Sequence, residues 1–192
     1  MTDLRRRYLD HFTTAFGRPS GRRGFDSGAG QPPIEVLAFQ GVVQDCQVFA
    51  SLGFSSYLQQ VRETAEVVVV VDSAGDRVPT ILANVLFTLV HHPPGFGLGV
   101  AIRFPKVDPA FVAEFGKSAL YFPDPIHFPP EFALVEGDEE GQAAGHVYGG
   151  YFISEAEHAF LRAHGREAFE RLLKEGKADP SDLRRPSLAL QS

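Results

Sequence analysis

With 192 residues, 44% hydrophobic and 22% charged, the chain has room for one domain with a sizeable core. Its net charge is −6, and residues 24–145 carry fifteen acids against five bases, which argues against nucleic acid as the direct ligand. The single cysteine, Cys46, excludes an intramolecular disulfide and a cysteine zinc cluster, and no apolar run is long enough to span a bilayer.

Residues 3–16 place Leu4, Tyr8, Leu9, Phe12, Ala15 and Phe16 on one helical stripe, with Arg5, Arg6 and Arg7 mostly off it. An amphipathic helix packed on the domain is expected there. No apolar segment follows the early arginines as a secretory signal would need, so a cytoplasmic location is expected. The stretch that follows contains Gly17, Gly21, Gly24, Gly28 and Gly30 and lacks the lysine of a phosphate-binding loop; it reads as a mobile connector. Residues 1–33 are therefore set apart from the main body, expected over 34–187.

Ile34–Phe39 and Gln47–Ser51 read as strands of a hairpin. Ala65-Glu66-Val67-Val68-Val69-Val70-Val71-Asp72 is β-branched and apolar on both faces, so it should be a strand covered on both sides, inside a sheet. After a turn at 73–76, Pro79 suits the first turn of a helix. The buried face of that helix is Ile81, Leu82, Val85, Leu86, Leu89 and Val90, and it ends at His91 and His92 before Pro93-Pro94. Residues 93–132 alternate prolines with phenylalanines; short strands fit at Gly97–Phe104 and Ala119–Phe122, in otherwise irregular buried structure. A polyproline ligand is not indicated, because the prolines lack PxxP spacing.

Glu136, Asp138, Glu139 and Glu140, with Gly137 and Gly141, form an acidic loop whose spacing does not match a calcium-binding EF-hand. It reads as a hairpin tip and as the candidate contact for a basic partner. Gly145–Ile153 is a strand, and Ser154 with Glu157 has the spacing of a capping box. The helix begun there pauses at Gly165 and resumes through Phe169, Leu172 and Leu173 to Gly176.

Several of these segments occur in the order seen in a known family. Phe49-Ala50-Ser51-Leu52-Gly53-Phe54-Ser55 ahead of an acidic lead into a strand resembles the TLGLS segment of Suppressor of fused-like domains. Lys117–Pro123 and Pro130–Leu134 resemble that family's small-residue strand and its following proline-rich turn and strand. The strand–helix–helix end, closed by Asp182-Leu183-Arg184-Arg185-Pro186-Ser187, resembles the family's C-terminus, although Phe152-Ile153-Ser154 replaces its Pro-Ile-Thr. The resemblance covers about residues 34–187 and implies an α+β domain with a central mixed sheet covered by helices. It further implies a non-catalytic, protein-binding domain; bacterial members are inferred to be immunity proteins that neutralise a cognate toxin, here expected to be basic.

No catalytic constellation accompanies this pattern: no G-x-S-x-G elbow and no HExxH spacing occur. Cys46 reads as a small buried hydrophobe. Neither cofactor nor metal is expected on this reading. The alternative is a metal-dependent hydrolase using His91 or His92 with His127, His146 and nearby acids.

Overall fold

The computed structural model describes residues 3–26, 28, 30–92, 96–137 and 142–190. Its strands are β1 (Gly21–Phe25), β2 (Ile34–Gln40), β3 (Gln47–Leu52), β4 (Ala65–Val71), β5 (Ala101–Arg103), β6 (Lys117–Tyr121), β7 (Leu134–Glu136) and β8 (Ala143–Ser154). The helices are α1 (Asp3–Phe16), α2 (Leu58–Val61), α3 (Val78–His91), α4 (Pro109–Phe115) and α5 (Glu155–Glu175).

The valine strand lies where its composition requires. All of β4 is buried, paired antiparallel with β3 (Gln47 opposite Val71) and parallel with β8 (Val69 opposite Gly150). The sheet is mixed and runs β1-β2-β3-β4-β8-β6-β5, with β7 paired to the early part of β8. Val67, Val69 and Val71 point into a core shared with Ile81, Leu82 and Leu89 of α3. Val68 and Val70 point the other way, toward Tyr8 and Phe12 of α1. Burying each valine stabilises the fold by roughly 1.5–3 kcal/mol before conformational entropy is counted. A third cluster lies where Leu161 and Phe169 of α5 cover Tyr121, Tyr151 and Ile153. Helices thus lie on both faces of one sheet, and the chain is a single α+β domain.

Three stretches depart from the sequence reading. The strand expected over Gly97–Phe104 is confined to Ala101–Arg103, after a turn at 98–99. The glycine-rich segment expected to be a mobile connector contains β1, paired along its whole length with β2 from Gly21↔Ala38 to Phe25↔Ile34. Its ladder is made by the backbone, so arginines and glycines can complete it despite their lower strand preference than valine. Within the proline-punctuated stretch, α4 forms because Asp108 caps it (Phe111 N–H donates to Asp108 Oδ1, 2.8 Å) and Pro109 occupies its first position. Cys46 is half-buried rather than buried, packed against the core on the α1 side.

Two buried carboxylates organise the first and last of the family-like segments. Glu66, fully buried in β4, accepts from the amides of Gly53 (2.7 Å), Phe54 (3.2 Å) and Ser55 (3.1 Å) and the hydroxyls of Ser51 (2.5 Å) and Ser55 (2.8 Å). The Ser-Leu-Gly-Phe-Ser turn is therefore a cradle for one carboxylate. Gly53 is required twice over, since its φ is 113° and a Cβ there would stand 2.7 Å from the Pro33 carbonyl oxygen. Burial pushes the Glu66 carboxyl up, and its donors pull against that shift.

Glu157, also fully buried, completes the expected capping box: its side chain accepts from Ser154 N–H (2.8 Å) and its amide donates to Ser154 Oγ (3.2 Å). It is clamped by Arg185, whose Nη1 and Nη2 reach its two carboxylate oxygens at 2.5 and 3.2 Å. Arg185 Nη2 also donates to the Phe152 carbonyl (3.3 Å), and buried Lys117 donates to the Arg185 carbonyl (2.8 Å). The C-terminal segment is thereby strapped across the start of α5 and the end of β8. Gly165 breaks α5 with φ 80° and ψ 174°, as its position in the sequence suggested.

Candidate partner-binding surface

The acidic hairpin is only partly described. β7 pairs antiparallel with β8, Leu134 opposite His146 and Glu136 opposite Ala143, with a register shift between Val135 and Glu136. Val135 points into the α1-side core, so Leu134 and Glu136 point outward. Leu134 is 48% exposed, an apolar side chain standing beside a carboxylate. Asp138, Glu139 and Glu140, expected at the tip, lie outside the described residues.

Near this strand, α1 and the chain from His127 to Phe132 enclose a groove of about 440 Å³, walled by His11, Phe16, Phe128 and Phe132. The Phe128 and Phe132 rings lie 4.7 Å apart and Phe16 lies 4.9 Å from Phe128. Tyr8 holds α1 in place by donating to the carbonyls of Thr64 (2.9 Å) and His146 (3.1 Å). His11 stacks on Phe132 (4.9 Å), with Nε2 3.0 Å from the Phe132 carbonyl oxygen. A carbonyl can only accept, so this nitrogen carries the proton. Burial lowers the His11 pKa below its ordinary value, against the contrary pull of Glu136. Burial lowers His127 as well, and its buried Nε2 has no hydrogen-bond partner among the described residues. Glu131 stands exposed at the rim. Aromatic walls beside exposed carboxylates suit a basic side chain with an apolar stem.

The histidine cluster of the hydrolase alternative does not assemble. His91 and His92 are exposed at the end of α3, His146 is exposed on β8 beside Tyr148, and His127 lines the groove just described. Among the described residues, no three His, Cys, Asp or Glu side chains are grouped so that they could hold a metal ion. Nor is any helix there long and apolar enough to cross a membrane.

Sequence reasoning singled out Glu136 but missed Leu134, His11 and the phenylalanine groove. The alternation of Leu134, Val135 and Glu136 did carry a signal, because successive strand residues point to opposite faces and a carboxylate at 136 marks its face, shared with Leu134, as the outer one. Nothing local says that Phe16 meets Phe128 across more than a hundred residues.

The comparisons with known proteins agree with this architecture. The family model described as Suppressor of fused protein (SUFU) matches residues 30–186. A crystal structure described as a SUFU homolog from Neisseria gonorrhoeae FA 1090 superposes with a TM-score of 0.72 at 18% identity, covering 97% of each chain. A chain of the Sufu–Fu complex crystal structure superposes with a TM-score of 0.67 at 11% identity, covering 97% of this chain and 92% of that one. At these identities the two structures speak to the fold. None of the curated proteins matches.

Proposed function

This chain belongs to the Suppressor of fused family, and from that premise we propose that it is a non-catalytic domain that binds a partner protein stoichiometrically. Its contact face is the β7–β8 hairpin with Glu136, Asp138, Glu139 and Glu140, together with Leu134 and the neighbouring aromatic groove. The observation that carries this reading is the outward pair on β7, an exposed leucine and a carboxylate side by side. An apolar anchor supplies desolvation and the acids supply steering and register, the combination from which tight protein contacts are built. A similar fold in a chain whose structure was determined as the Sufu–Fu complex supports protein binding as the mode of action.

The partner is a basic protein, and the specific role is that of an immunity protein neutralising a cognate toxin in the cytoplasm. The acidic balance of residues 24–145 supports a basic partner. The test is co-expression with the toxic product of the adjoining gene. Growth should be rescued by the native chain and lost with Leu134→Asp combined with Glu136→Lys, both chains being equally abundant. Rescue that survives both substitutions would refute the assigned face, and no rescue by the native chain would refute the neutralising role.

A further inference from the structure

The opposite charge gathers at the far end of the sheet. β1 is an outermost strand, separated from the β7–β8 hairpin by β2, β3 and β4, and no described strand pairs with its outer side. Exposed backbone donors and acceptors along such an edge are a template for another strand. Along β1 the arginines are set on opposite faces. Arg23, opposite Val36, shares the α3 face, whereas Arg22, opposite Leu37, shares the α1 face.

The two arginines are compensated unequally. Arg22 is paired with both oxygens of Glu35 (2.7 and 2.5 Å), but that one carboxylate also serves Arg5, so two guanidiniums share a single negative charge, and the Arg22 side chain is 51% exposed. Arg23 donates to the Asp76 carbonyl (3.1 Å) and to Thr80 Oγ1 (3.4 Å), and meets no carboxylate in ion-pair range among the described residues. Beside Arg23 on the α3 face, a groove of about 350 Å³ is floored by Gly21 and Ala38 and walled by Phe49 and Pro79. Gly21 leaves its floor open: a Cβ there would make only ordinary contact, 3.6 Å from Ala38 Cβ.

We infer that the outer edge of β1 is a second docking site, taking an extended acidic segment of a partner protein as an added strand. Register fixes the chemistry of that segment. The residue opposite Gly21 is apolar and fills the groove. The next two, opposite Arg22 and Arg23, are acidic, and the residue opposite Phe25 is again apolar. A second copy of this chain does not fit, because β1 laid against β1 brings arginines against arginines. This inference does not depend on the toxin-binding reading, since it concerns another edge and a partner of opposite charge.

The test uses the whole chain and synthetic peptides carrying apolar–Glu–Glu–Thr–apolar, with the two glutamates replaced by lysines as control. The acidic peptide should bind more than about tenfold tighter than the lysine peptide at low salt, and it should slow hydrogen exchange of β1 amides. Gly21→Phe, which plugs the groove with the protein's own ring, and Arg23→Glu should each abolish binding while the circular dichroism spectrum is unchanged. Equal or undetectable binding of the two peptides, binding that survives both substitutions, or unprotected β1 amides would overturn the inference. So would a homodimer that protects β1 in the absence of peptide.

Discussion

Replacing Arg185 by methionine should be among the most damaging single changes to stability that leave the sheet core untouched. The guanidinium is 6% exposed and lies against Glu157, which is not exposed at all. Methionine fills most of the volume but leaves the carboxylate with the Ser154 and Leu188 amides and Lys117 as its compensation. Removing one member of a buried ion pair costs about 3–5 kcal/mol. Against a total stability of roughly 5–15 kcal/mol, that is a large share. At about 2–4 °C per kcal/mol for a chain of this size, Tm should fall by roughly 6–20 °C. Lys117 sets the lower end: loss of the neighbouring cation raises its pKa and lets it serve Glu157 more fully. The assay is a double-mutant cycle by urea unfolding with Glu157→Gln, which keeps an oxygen for the Ser154 amide. The double variant should lose less than the two single losses added together, by at least about 1 kcal/mol. If Arg185→Met costs under about 1 kcal/mol, or the two losses are additive, the strap is not held by this pair.

The remaining predictions concern other parts of the fold. Gly53→Ala should cost at least about 2 kcal/mol in urea unfolding, since it strains a positive φ and drives a methyl against the Pro33 carbonyl; a neutral result would mean the Glu66 cradle is not tight. Lys117 is held down to about 8 by burial and by Arg185, whereas unfolded it titrates near ~10.4. Between those values the unfolded chain binds the extra proton, so stability should rise from pH 8 toward pH 10, and Lys117→Met should remove the slope. Asp108 is held at about 2 by the Arg77 guanidinium and by the helix amides, against about 3.9 when unfolded. Its contribution is present above pH 4 and is lost as pH falls through 2; Asp108→Asn should flatten that part of the acid limb by removing the Arg77 ion pair, while the Asn oxygen keeps the cap on Phe111.

What could be read in advance depended on whether the cause was local. The valine strand, helix 78–91 and the Ser154–Glu157 box are set by residues within a few positions of one another, and each appears where its pattern places it. β1 was hidden because an edge strand is recruited by its neighbour's backbone, which leaves no hydrophobic alternation to find. For α4 the Asp108-Pro109 start signal was present, but the surrounding prolines masked it. Glu66, ahead of five valines, reads in the sequence only as part of an apolar strand; its cradle lies eleven to fifteen residues earlier, and nothing local ties the two together. The Arg185–Glu157 clamp and the Phe16–Phe128 wall join positions 28 and 112 apart, and only the folded chain brings them together.

The most direct test of a binding role is titration calorimetry of this chain with the purified product of the adjoining gene. The account predicts one-to-one binding that weakens with salt and is at least about tenfold weaker for Leu134→Asp, with the Tm of the variant unchanged. Heat that is absent, or a curve that Leu134→Asp and Glu136→Lys leave unaltered, would contradict it.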